Sequence, residues 1–297
     1  MRRAMVRAMP WVFVLIWSTG FVVARLAMPH SPPFSFLAVR FALSALCFFA
    51  WIAIARAAWP VGRAQWGHLV VTGVLMQASY LGGVWAAVKA GIGAGTVALL
   101  VGLQPVLTAL WVTATMPRET GSAKATARVT MREWLGLLLG FSGLAFVVWP
   151  KLGTGEVTPA NLALALVALL GITVGTLYQK RYVAPCDVRS ASAVQMLAAL
   201  IVCAPIALFE REAMDWQLNL VAAMAWSVAV LTLGGSSLLY LLIQRGEATA
   251  VTSLLYLVPP CTALMAWLLF GEAFTPLMTF GMALTVAGVA IVVRERR

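Results

Sequence analysis

The groups in this chain that could recognise a solute are mostly uncharged, and they lie at helical spacing inside long apolar runs. Gln77 and Tyr80 are three residues apart, which puts both on one face of a helix. Ser236, Tyr240 and Gln244 follow one another at steps of four. Ser253 and Tyr256 precede the pair Pro259-Pro260, and Gln104 stands beside Pro105 with Leu100 and Thr96 one and two turns back. Trp17 and Ser18 occupy the first run, and Tyr178 the sixth. A buried amide or phenol needs a partner, so several of these facing inward would form a polar slot walled by aromatic rings. Such a slot suits a small amphipathic solute bearing an amine and a carboxylate. The competing reading is an interhelical hydrogen bond or an interfacial aromatic belt, and it applies most to Tyr178 and Gln244, near the ends of their runs. Trp85 and Trp111 could wall a cavity or face lipid, with Trp85 the better candidate for the wall.

Other chemistries lack their residues. There is no HExxH string, no intramembrane carboxylate pair and no Ser/His/Asp arrangement, so a membrane-embedded enzyme is disfavoured. Cys47, Cys186, Cys203 and Cys261 are scattered without metal-ligand spacing, and no cofactor is expected. His68 reads as interfacial, and His30 sits in a proline-rich turn. No acidic residue falls mid-run, which argues against a buried proton relay. Arg25 and Arg40 lie toward the ends of their runs, where snorkelling explains a cation without function. Arg25, two turns from Trp17 and one from Phe21 on the same face, is the better functional candidate. A nucleotide-sugar or sugar-phosphate exchanger would need basic groups in its cavity, and on this reading none lies mid-run, so that alternative ranks lower.

The elements that must hold these groups follow from composition. Of the residues, 62% are hydrophobic and 10% charged, against roughly 25% charged in soluble domains. Runs long enough to cross a bilayer fall near 10–29, 34–55, 68–89, 94–115, 133–150, 161–180, 190–209, 222–244, 249–270 and 275–293. The first begins like a signal peptide, but it continues for the length of a full span and no clear cleavage site ends it. Ten spans put both termini on one side. That side carries 16 Lys and Arg in its loops and tails, the other 3, so both termini are expected in the cytoplasm of a multi-pass protein of the cell membrane. The same asymmetry accounts for the net charge of +11 without nucleic acid. The expected partners are the bilayer and a small solute.

The chain also repeats itself. Gly91, Leu99, Leu100 and Pro105 precede Gly246, Leu254, Leu255 and Pro260 by 155 positions, as Gly20 precedes Gly175. Beyond the small, polar, basic loop 116–132 the offset falls to 145, pairing Gly136 with Gly281 and Gly143-x-Ala145 with Gly288-x-Ala290. Five spans per half is an odd number, so the second half (156–297) enters the membrane inverted relative to the first (1–155). The fold class expected is an all-α membrane protein of two inverted five-helix repeats. Proline inside each fourth helix of a half removes a backbone donor. In hydrocarbon the freed carbonyl is tolerated only beside protein or a wet cavity. Gly20, Arg25, Pro105, Pro259 and Pro260 are therefore the candidate gating and hinge positions. The glycine rows 136/140/143 and 281/288 suit close helix packing, within one chain rather than across a dimer. A monomer or weak homodimer is expected.

At this point WSTGFVVAR in span 1, VRFALSAL in span 2, LLVGLQPVLTAL and its echo LLYLVPPCTAL, and FGEAFTPLMTFGMALTVAGVAIVV in the last two spans resemble the drug/metabolite transporter superfamily, most closely its EamA-type exporters. Gly271-Glu272, followed by Gly281 and Ala287-Gly288, is the most specific part. The resemblance implies a central cavity between spans 1, 3, 4, 6, 8 and 9, with spans 5 and 10 at the back. It also implies export of amino acids or other small metabolites by alternating access. The first half departs from the pattern, carrying Pro117-Arg118-Glu119 where a second Gly-Glu would fall.

Overall fold

The computed structural model describes residues 2–115, 131–244, 257–272 and 275–295. Ser253, Tyr256 and nearly all of the basic loop lie outside them. The described residues form helices only. We number these by span: α1 Arg2–Ala27, α2 Pro33–Ala55, α3 Arg63–Lys89, α4 in two pieces (Ala94–Val101 and Gln104–Thr115), α5 Met131–Gly153, α6 Pro159–Tyr182, α7 Val188–Ala207, α8 218–244, α9 Val258–Phe270 and α10 Pro276–Glu295. Among the described residues, seven apolar helices are long enough to cross a membrane, and three shorter apolar ones lie in α4, α9 and α10.

Local chemistry sets the starts. Pro33 and Pro159 sit in the first turns of α2 and α6, where the missing N–H costs no helical bond. α6 also has a reciprocal cap, in which Thr158 Oγ1 accepts from the Asn161 amide while Asn161 Oδ1 accepts from the Thr158 amide. Asn161 Nδ2 donates to the Ala90 carbonyl at 3.2 Å, so α6 begins where α3 ends. α1 runs toward that same end, with its Arg25 beside Glu272. α6 therefore runs against α1, and the second five helices are inverted relative to the first.

Packing repeats the exchange. α1 lies against α8 and α9, and its counterpart α6 lies against α3 and α4; α2 meets α8 as α7 meets α3. The pairs α2–α7, α4–α9 and α5–α10 join equivalent helices of the two halves. The α5–α10 seam is glycine to glycine. A Cβ on Gly281 would stand 2.5 Å from the Gly143 carbonyl oxygen, and one on Gly288 2.5 Å from that of Gly136. The glycine rows thus bring two helices of one chain together.

Two features bend the ladder near the centre. α3 widens to π geometry at Val74–Ser79 and α8 at Ser227–Ser236, at places related by the 155-residue offset. In α8 the widened turns are laced by hydroxyls: Thr232 Oγ1 donates to the Ser227 carbonyl at 2.9 Å, and Ser236 Oγ to that of Leu231 at 3.4 Å. π turns inside α-helices are frequent at functional sites. The prolines act differently from expectation. α4 is interrupted at Gly102-Leu103, and Pro105 is the second residue of its second piece. Pro259 and Pro260 occupy the first turn of α9. Each proline opens a helical segment rather than kinking one from within, since a first-turn proline forfeits no bond.

Candidate functional site

Three connected lobes meet at Trp17. The largest, about 420 Å³ including its mouth, is lined by Trp17, Gly20, Phe21, Arg40, Met76, Gln77, Tyr80, Leu81, Val84, Trp85, Leu231 and Ser236. A second lies against the broken helix, between Trp17, Phe21, Gly102, Gln104, Pro105 and Val258. A third extends toward the end that carries the termini, past Gln77, Ile172, Gln179, Gln195, Ser236, Leu239 and Tyr240. Both π stretches contribute, Met76 and Gln77 from one, Leu231 and Ser236 from the other. The widened turns set the direction in which these side chains project.

The walls are aromatic and the polar groups few, as is usual for small-molecule sites. Trp17 and Tyr80 stack with centroids 6.2 Å apart and planes 5° from parallel. Gln104 Nε2 donates to Thr176 Oγ1 at 3.2 Å, and Gln195 Nε2 to Thr72 Oγ1 at 3.3 Å. Tyr240 and Cys186 share a contact of 3.0 Å between hydroxyl and thiol.

Of the residues picked from sequence, Trp17, Gln77, Tyr80, Trp85, Gln104, Ser236 and Tyr240 line these lobes, as do Gly20 and Pro105. α1 continues unbroken through Gly20. Three do not line them. Ser18 is fully buried, its hydroxyl bonded to the Val14 carbonyl of its own helix at 2.7 Å. Leu100 belongs to the packed apolar core. Tyr178 bonds to His68 Nδ1 at 2.9 Å, with Tyr182 stacked alongside, and so clasps α3 to α6. In each case side-chain direction, which spacing alone does not fix, turned the group away. Gln244 closes α8, described for its backbone only, while Ser253 and Tyr256 lie outside the described residues. Trp111 is half exposed on the outer surface.

Arg40 is the main correction. It does not snorkel: it is 3% exposed, and its Nε and Nη2 donate to Thr232 Oγ1 at 3.3 and 3.2 Å. Its guanidinium carbon lies 5.3 Å from the centroid of Trp85. The cavity therefore contains a basic group that hydropathy had assigned to the headgroups. Arg25 stays at the rim, 3.7 Å from Glu272 and partly exposed, clear of the lobes.

Above the largest lobe, the end opposite the termini is shut by charge. Gly271 has φ 64° and donates its N–H to the Trp267 carbonyl, a left-handed helix end that favours glycine. This turn sends Glu272 across to the other half, where it accepts from the amides of Ala94 and Gly95 at 3.1 and 3.5 Å. Glu156 accepts from the Gly93 amide at 3.2 Å and from Lys151 Nζ at 2.6 Å. Glu210 takes the first amides of α2, Phe34 at 3.0 Å and Ser35 at 2.7 Å. Carboxylates at helix N-termini meet both unpaired N–H groups and the positive end of the dipole. Sequence reasoning marked Gly271-Glu272 as a signature without giving it this role.

Two inverted five-helix units, a broken α4 facing an α9 that opens on prolines, and an aromatic chamber between the halves define a membrane transporter. The chain belongs to the EamA-like transporter family, whose model matches it twice, at residues 9–149 and 160–294. A protein of Salmonella typhimurium called a probable amino-acid metabolite efflux pump is 22% identical over 94% of this chain and 91% of its own length. The uncharacterized inner membrane transporter YedA of Escherichia coli K12 is 23% identical over 94% of this chain and 87% of its own. A crystal structure sharing 21% identity superposes with a TM-score of 0.65 over 97% of this chain and 98% of that one, a likeness of fold.

Proposed function

We propose that the chain exports small amphipathic metabolites, amino acids with aromatic or other large side chains among them, across the cytoplasmic membrane with both termini in the cytoplasm. The observation that carries this reading is the chamber around Trp17, walled by Tyr80, Trp85 and Phe21 and provided with Gln77, Ser236 and Tyr240 for polar contacts. A relative named for amino-acid metabolite efflux supports the solute class. Alternating access would use the break before Pro105 and the proline-bearing start of α9 as joints, with the two halves (1–155 and 156–297) moving against one another. The solute would enter by Gln179 and Tyr240 and leave after the carboxylate contacts at the opposite end part. Phosphate-bearing solutes fit less well, since Arg40 is the one cation lining the described lobes and such ligands call for several. Flux from proteoliposomes against a panel of amino acids tests the reading. Gln77→Ala and Tyr240→Ala should each abolish flux in protein that still reaches the membrane, whereas wild-type rates from both would refute the chamber assignment.

A further inference from the structure

Arg40 and Trp85 form an arrangement whose own groups leave it incomplete. Both line the largest lobe, Arg40 at 3% and Trp85 at 1% exposure. Arg40 Nη1 and Trp85 Nε1 are buried donors without an acceptor. Among the described residues no carboxylate lies within ion-pair distance of Arg40. Its neighbours are a threonine hydroxyl and an indole face. A guanidinium stays charged under all ordinary conditions, and a buried charge without a countercharge is costly. The missing partner is an anion, and the chamber is where it can come from.

We infer that Arg40 Nη1 and Trp85 Nε1 receive the carboxylate of the transported solute, and that the carboxylate, not the amine, is what the site requires. No Asp or Glu lines any of the three lobes, so a solute ammonium meets only neutral oxygens and ring faces. The apolar part of the solute lies on the Trp17–Tyr80 stack. The carboxylate sits against Arg40 and Trp85, about two helical turns into α2 from the start that Glu210 caps. The solute class is thus small carboxylates with an apolar or aromatic body, amino acids being one subset.

This inference rests on the chamber being the transport site, so the experiment separates the two. Three matched probes are titrated calorimetrically into purified full-length protein in detergent: L-phenylalanine, L-phenylalaninamide (amine, no carboxylate) and 3-phenylpropanoate (carboxylate, no amine). The expected result is that both carboxylates bind at least about tenfold more tightly than the amide, the scale of one charge-assisted contact. Arg40→Gln should remove that preference by weakening the two acids and leaving the amide unchanged. Trp85→Phe, which keeps the ring under Arg40 but removes the N–H, should weaken the acids by a smaller factor. Equal or tighter binding of the amide, or binding of none of the three, overturns the inference. Should Arg40→Gln fail to fold, the wild-type comparison and Trp85→Phe still decide. Flux without preference for acids would sink this inference and spare the exporter, whereas no flux of any solute would sink the exporter itself.

Discussion

The two ends of the bundle are closed by different chemistry. At the end away from the termini, Glu210, Glu156 and Glu272, all from the second half, seize the first amides of α2 and α4 in the first half. Lys89 adds a bond to the Met28 carbonyl and an ion pair with Glu212 at 2.7 Å. At the end with the termini one ion pair, Arg189 with Asp187 at 2.7 Å, is confined to the start of α7, and the contacts between helices are mostly neutral: His68 with Tyr178 and Tyr182, Trp59 stacked on Trp66, Gln65 with the Ala184 backbone, and Tyr240 with Cys186. For the proposed alternating cycle, the difference shows how one state could be held. Carboxylate-to-amide contacts are strong when made, and each must find water when broken. Ring stacks and amide contacts part with less loss, since no charge is stranded. The state described has its charged end closed and its neutral end nearest the chamber's third lobe.

The largest effect should come from breaking the charged end. Glu272→Gln, in a background lacking the native cysteines and carrying Thr96→Cys, should raise labelling from the far side by a membrane-impermeant maleimide about tenfold, consistent with ~1.5–3 kcal/mol for a hydrogen bond to a charged group. Unchanged labelling would show that Glu272 does not hold this end shut. Glu210→Gln, which weakens the cap on α2 without touching α4, should lower the thermal unfolding midpoint through a loss of ~1–2 kcal/mol, with a smaller rise in labelling. At the neutral end Tyr178→Phe keeps the rings and removes the contact with His68. Its expected cost is about 0.5–1 kcal/mol, and flux should fall less than for Glu272→Gln. A larger fall would reverse the contrast between the ends. Smallest of all, Ser18→Ala removes a hydroxyl that serves only its own helix, and flux should stay within about twofold of wild type.

Much of this architecture was legible in the residue string. Ten apolar runs and an offset of 155 positions lead to the inverted halves, and the glycine rows anticipate the α5–α10 seam. Gln77 with Tyr80 and Ser236 with Tyr240 were paired by their spacing within one helix, and each pair lines one lobe. Ser18 and Leu100 were misplaced because spacing does not say which neighbour that face meets. Arg40 lies seven residues into α2, about 10 Å along its axis, a depth that suits a headgroup anchor; only its approach to Thr232 and Trp85 on other helices reveals a buried cation. The π stretches were equally hidden. In α8, hydroxyls at 232 and 236 reach carbonyls five residues back, a pattern that ordinary helical sequence does not announce. Glu272 was visible as a pattern, but its reach to Ala94 required the Gly271 turn and the placement of the opposite half.

The glycine seam has a mechanical consequence. Where Gly143 faces Gly281 and Gly136 faces Gly288, main chain meets main chain, and the flanking Thr285, Val147 and Leu139 side chains leave little room to rearrange as the angle between α5 and α10 changes. Such a joint resists sliding, and it sits at the flank away from the chamber. If the halves turn as proposed, this seam is the place that changes least, and it can serve as their axle.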